Sequence, residues 1–282
     1  MKKILFAALG FCSLFANAQK LDNSLLWKIS GNGLPAPSYL FGTIHLTCNA
    51  KLEENTLQAL DVTKQLYLEL DIENVQLQDM MDDMMMKDGV TLSSLLSPGD
   101  YTAVNDFLVK KTGLPTGLIN TIKPAYLEVF LTESLLECDP ISIESLLSRA
   151  TKAQNERAYG LETVEEQLAV FDAIPYKVQA QELAKIVKDD MKTYKKDFAL
   201  LLKYYNDKDL NKLLDTGKET SSMMTEYSDI FLNDRNKKWI AKIEQIAKET
   251  PTFFGVGAAH LPGADGVIML LRKKGYTVEA VK

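Results

Sequence analysis

The chain holds only two histidines, His45 and His260. Each closes a G-x-x-H tetrad at the end of an apolar run, Tyr39-Leu40-Phe41-Gly42-Thr43-Ile44-His45 and Thr252-Phe253-Phe254-Gly255-Val256-Gly257-Ala258-Ala259-His260. Imidazole is the side chain best suited to metal ligation or to acid/base work near neutral pH. Filler histidines would be scattered; two in one local setting, with none elsewhere, point to a shared cavity. Two carboxylates have matching placements. Glu69 lies near the end of Leu66-Tyr67-Leu68-Glu69-Leu70-Asp71, and Glu162 follows the short run Arg157-Ala158-Tyr159-Gly160. Two neutral imidazoles with one or two carboxylates make a divalent-metal site with open positions. Such an ion lowers the pKa of a bound water and polarises a carbonyl. The expected ligands are His45, His260 and Glu69, and Mn, Co and Zn all accept imidazole with carboxylate. Gly42 and Gly257 lack a Cβ and are expected to let the backbone turn sharply or a ligand approach closely.

Plainer readings compete with these. A histidine after a strand is commonly a hydrogen-bonded structural residue, and a charged pair such as Glu69 and Asp71 also suits an edge strand. Cys48, three residues after His45, leaves room for a thiol near the site, a buried small side chain or a disulfide with Cys138. The methionines Met80, Met81, Met84, Met85 and Met86 suit an adaptable core face or groove better than a copper site. The run Gly255-Val256-Gly257-Ala258-Ala259-His260 imitates a dinucleotide loop, but histidine replaces the third glycine and no such loop follows the first strand. Neither G-x-S-x-G nor H-E-x-x-H occurs.

The elements that must position these residues are strands from both chain ends with helices between them. Residues 25–30 and the run ending at His45 make an early hairpin around Gly31-Asn32-Gly33. A helix over 55–65, with Leu57, Leu60 and Val62 inward, leads to the strand bearing Glu69. Strand, helix, strand in that order indicates a parallel pair. From about 75 to 150 and again from 175 to 250 the pattern is helical, including one long helix from about 221 to 249. A strand from 252, a helix over 265–274 closed by Gly275 and a strand over 276–281 form a second such unit. The expected fold is α/β with an α+β tendency: a mixed, largely parallel central sheet built from both ends, carrying a large helical insertion. Ligands of such sheets bind beyond the carboxyl ends of the strands, where both histidines fall.

The chain has 282 residues and a formal net charge of −6. That balance, with no basic patch interleaved with aromatics, argues against nucleic acid and anionic lipid as partners. Lys2 and Lys3, the apolar run Ile4 to Phe15 and the small-x-small site Ala16-Asn17-Ala18 read as a signal peptide over residues 1–18. The apolar run is too short for a permanent anchor, and the mature chain carries no stable membrane span. Residues 19–282 are then expected to form one exported domain, periplasmic or secreted.

Taken together, Leu40-Phe41-Gly42-Thr43-Ile44-His45-Leu46, Glu69-Leu70-Asp71, Gly160-Leu161-Glu162-Thr163, Arg235-Asn236 with Trp239, and Gly255 to Gly263 resemble the TraB/PrgY/GumN family. That family includes the Tiki proteins, which are metal-dependent proteases, and is more distantly similar to erythromycin esterase-like and ChaN-like folds. The resemblance implies that His45 and His260 hold metal or act as acid and base. It also implies that Glu69 and Glu162 are the acidic positions, and that Arg235 grips an anion or a developing oxyanion. The functional expectation is an exported metal-dependent hydrolase of peptide bonds. The alternative is a non-catalytic protein that binds peptide, metal or haem in the same pocket.

Overall fold

The central strands are apolar on both faces, the pattern of strands covered on two sides. In β2 (Ser38–Thr43) five of six residues are buried, and in β5 (Phe253–Gly257) four of five. The computed structural model describes residues 20–71, 81–219 and 223–282. The signal peptide expected over residues 1–18, and Met80, lie outside the described residues.

Six strands form one sheet in the order β4-β3-β5-β2-β1-β6. The remaining strands are β1 (Leu26–Ser30), β3 (Leu66–Leu68), β4 (Ala158–Gly160) and β6 (Thr277–Ala280). β2, β5, β3 and β4 run parallel, and β1 is antiparallel to both β2 and β6. The sheet is therefore mixed, mostly parallel and assembled from both chain ends. Two of its crossovers are short, each carrying one α-helix. Helix α1 (Glu54–Asp61) joins β2 to β3, and a helix over Val267–Lys273 joins β5 to β6. Gly275, at φ +93, ends the latter in the left-handed region that favours glycine.

Trp27, Leu40, Leu66, Leu68, Phe253, Phe254 and Val256 are almost wholly buried in the sheet core. A second apolar cluster lies among the helices and includes Leu92, Leu108, Leu127, Leu131 and Leu183, with Met84 and Met86 as filling side chains.

The helices that matter for the site are α2 (Ile143–Ala153), α3 (Val164–Asp172) and α4 (Asp234–Glu249). Three expectations change. α1 buries Thr56, Ala59 and Leu60, whereas Leu57 and Val62 are exposed. The buried set follows the i, i+3, i+4 face, and Leu57 and Val62 fall off it. The long helix expected from about 221 is not regular among the described residues: a short α-helix at Met223–Glu226 and a π-helical turn at Asp229–Asn233 lead into α4. The strand expected to run from Leu66 to Asp71 is regular only to Leu68, so Glu69 stands just past its end.

Phe254→Ala should lower stability by about 3–5 kcal/mol through the cavity it leaves, whereas Leu57→Ala should change it by less than about 0.5 kcal/mol. Urea denaturation followed by circular dichroism measures both.

Candidate functional site

The parallel strands end on one edge of the sheet, and four side chains meet there. Glu69 follows β3, Glu162 follows β4, and His260 lies in the single 3-10 turn Ala258–His260 after β5. Arg235 comes from the first turn of α4. Glu162 directly precedes a helix start: the Thr163 side chain caps α3, and the Thr163 amide donates to the Glu166 carboxylate.

Arg235 holds the group together. Its Nε donates to Glu162 Oε2 at 3.2 Å, and Nη2 donates to Glu69 Oε2 at 2.6 Å and to Glu162 Oε1. Nη1 donates to the Phe231 carbonyl at 3.0 Å and lies 3.2 Å from His260 Nε2. A guanidinium has five N–H groups, so every one is engaged. The oxyanion-gripping role expected for Arg235 has no donor left to perform it while this arrangement stands. Trp239, one turn along α4, lies under the guanidinium with its ring centre 4.8 Å from Cζ, and its indole N–H donates to Glu162 Oε2 at 3.3 Å. Gln167 on α3 donates to both Glu69 Oε2 and Glu162 Oε1 at 3.1 Å.

The remaining oxygen of Glu69, Oε1, accepts from the Gly257 amide at 2.7 Å. A Cβ at Gly257 would stand 3.1 Å from that oxygen. Gly257 therefore serves close approach, with φ −49, and the sharp-turn reading does not apply to it. Gly42 is likewise outside the left-handed region; a Cβ there would stand 3.2 Å from Ala258. It lets β2 and the His260 turn pack closely.

The two histidines occupy opposite environments. His260 is buried, and its ring lies 4.5 Å from the Trp239 ring at a tilt of 39°. Asn236 Nδ2 donates to the carbonyls of Asp265 (2.9 Å) and His260 (3.3 Å), which turns Oδ1 toward the imidazole. Nδ1 of His260 then carries the proton and donates to Oδ1 at 2.6 Å. This tautomer follows from the surrounding hydrogen bonds. The Nε2 lone pair faces Arg235 and stands 3.6 Å from Glu69 Oε1. Burial pushes the imidazole down to about 4; Glu69 opposes this, and Arg235 reinforces it. Burial pushes Glu69 up, but His260, Arg235 and His45 outweigh it and bring the carboxyl down to about 2.

His45 stands at the rim, with 68% of its side chain open to solvent, and its Nδ1 is 2.8 Å from the buried carboxylate of Glu144 on α2. The surrounding chain disfavours its charge, but the Glu144 pairing prevails and raises it to about 9. His45 also feels the charges of Glu69 and Arg235, and its own charge acts on His260. The fold thus brings both rings into one electrostatic neighbourhood, though their contacts differ.

The donor chemistry of His260 and Glu69 suits a divalent ion, since one is neutral and the other ionised. The geometry does not suit one as assembled. Among the described residues no three His, Cys, Asp or Glu side chains converge as a metal site, and Arg235 fills the space against His260 Nε2 and both carboxylates. The expected triad of His45, His260 and Glu69 is therefore not presented as a coordination set.

Cys48 and Cys138 form a disulfide, which leaves no thiol at Cys48. Sequence reasoning did not select Glu144, Gln167 or Asn236. Asn236 sits beside Arg235 in a stretch already singled out. Glu144 and Gln167 carry no motif, and only the fold brings them in. A cavity of about 250 Å³ adjoins the cluster, lined among others by Glu162, Val170, Ile230, Arg235 and Trp239.

Fold and site together define a mixed-sheet α/β protein with a polar, ion-paired centre beyond the carboxyl ends of its parallel strands. The chain belongs to the TraB/PrgY/gumN family, whose family model matches residues 25–280. It is similar to the metalloprotease TIKI2 of Danio rerio, with 23% identity over 93% of this chain and 62% of that protein. The chain thus spans under two thirds of that relative's length. No solved structure matches the chain.

Arg235→Met should destabilise the fold by about 3–5 kcal/mol, because it leaves Glu69 and Glu162 buried without their cation; urea denaturation near neutral pH measures it. The two imidazoles should titrate apart in NMR spectra, His45 toward 9 and His260 toward 4. His45 is raised in the fold, so its contribution is complete below its ordinary 6.5 and is lost as pH rises through 9. His260 is depressed, so its contribution is complete above 6.5 and is lost as pH falls toward 4. The part of stability governed by these two rings should peak near pH 6.5, and denaturation midpoints across pH check the sign on each side.

Proposed function

We propose that this chain is an exported hydrolase, acting on an amide bond of a peptide or a related small molecule, with His45 and His260 in different roles. The observation that carries the reading is the placement of the two imidazoles, one at the rim on the Glu144 carboxylate and one buried on Asn236 beside Glu69. His45 is placed to give a proton to a leaving nitrogen, and Glu144 supports its charge. His260 stays neutral through the neutral range, and its Nε2 lone pair, which accepts from Arg235 in this arrangement, becomes an acceptor for a water beside Glu69 Oε1 once that N–H is withdrawn. Arg235 sets the positions and ionisation of both carboxylates and does not itself contact the substrate. Family membership and the relative named a metalloprotease support hydrolysis. The neighbouring cavity, with apolar walls from Ala169, Val170 and Ile230 and cationic Lys238 at its lining, suits a peptide-like ligand.

The relative's name also suggests a metal. An ion such as Mn, Co or Zn would find its donors in His260 Nε2, Glu69 and the outer nitrogen of His45 only after Arg235 swung away. The saturated guanidinium favours a second reading, in which a rigid cleft binds a peptide or haem without cutting it.

The test is a peptide-library screen on purified protein, with chelated and metal-supplemented arms. Cleavage is expected, reduced at least about a hundredfold in His45→Ala and in His260→Ala. Activity should fall as pH rises through 9, where His45 loses its proton, and as pH falls through 4, where His260 gains one. Saturable binding without products would replace hydrolysis by the binding reading. Full activity in both variants would remove the histidines from the chemistry.

A further inference from the structure

We propose that Glu144 is a positioning residue for His45, and that the Cys48–Cys138 disulfide is the far end of a clamp that keeps the two together. His45 is mostly solvent-exposed, and its Nε2 makes no hydrogen bond among the described residues. Its one anchoring polar contact is Nδ1 to Glu144, 2.8 Å away. That ion pair turns the inner nitrogen toward the carboxylate on a ring that is otherwise open to solvent. Glu144 is buried, with only 7% of its surface exposed, in the first turn of α2, where the helix dipole favours a carboxylate. His45 is its ionic partner among the described residues.

The segments carrying the two residues are joined as a short antiparallel ladder. The Ile143 amide donates to the Ile44 carbonyl at 3.2 Å, immediately beside the pair. Thr47 and Ile141 exchange hydrogen bonds at 3.2 and 2.9 Å. Cys48 and Cys138 close the ladder covalently, across a sequence separation of 90. A two-strand ladder this short is marginal on its own, and fixing its end removes the freedom by which it would fray. The disulfide therefore acts on His45 through the ladder.

The hydrolase reading gives this clamp its purpose, but the clamp is read without turnover. Only two imidazole signals exist in a labelled sample, and His260 is the internal control. In Glu144→Gln, which keeps the shape and removes the charge, the His45 ring signal should shift at constant pH while that of His260 stays in place. Glu144→Ala should also broaden the His45 signal; if that variant does not fold, Glu144→Gln decides alone. An unmoved His45 signal in Glu144→Gln overturns the positioning role. Treatment of the wild-type chain with dithiothreitol passes two electrons and two protons to the disulfide, giving two thiols and the cyclic oxidised dithiol. The amides of Thr47, Ile141 and Ile143 should then exchange about tenfold faster or more, with those of β5 unchanged. Unchanged exchange, with reduction verified by mass, overturns the clamp. Failure to cleave any peptide would sink the hydrolase reading and leave both of these results standing.

Discussion

One buried guanidinium sets the terms for the rest of the site. Arg235 ties the ends of β3, β4 and β5 together through Glu69, Glu162 and His260, and it spends all five N–H groups doing so. Two carboxylates brought this close and this deep would repel each other without it. The planar fork reaches both at once, which a lysine could not do. Trp239 and Gln167 hold the fork and the carboxylates from either side, so the group is packed as well as paired. Two carboxylates against one guanidinium leave a residual negative charge, and His45 is the next cation within reach.

The same residue type acquires two characters from its surroundings. His260 lies among aromatic and polar side chains with an amide on one nitrogen and a cation near the other, so it stays neutral. His45 faces solvent with a carboxylate behind it, so it stays charged. Environment alone can thus set two groups of one type to titrate far apart.

The candidate site lies where segments from both halves of the chain meet. The first half brings His45 and Glu69, the middle brings Glu144, Glu162 and Gln167, and the last third brings Arg235, Asn236 and His260. Three of the junctions are backbone ladders, between β2 and β5, between β3 and β5 and between residues 44–47 and 141–143. The disulfide reinforces the last of these, an isolated bridge outside the sheet.

Much of the fold was legible in the chain itself. Apolar runs ending in glycine and histidine, alternating with amphipathic stretches, are sufficient to read a mixed sheet drawn from both ends, because strand and helix periods are local properties. The residues Glu69, Glu162 and His260 could be singled out for the same reason, since each stands at the end of a readable element, whereas Arg235, inside the expected long helix, stood out only through the family resemblance. Only the tertiary structure decided what they do together. A guanidinium donating to two carboxylates and facing a histidine differs from a metal triad in distances between remote segments, and no local pattern encodes those distances. Glu144 shows the limit most clearly, since an acidic residue in a first helical turn is ordinary in sequence. It acquires its role only because a ladder and a disulfide carry it to within 2.8 Å of an imidazole 99 positions away.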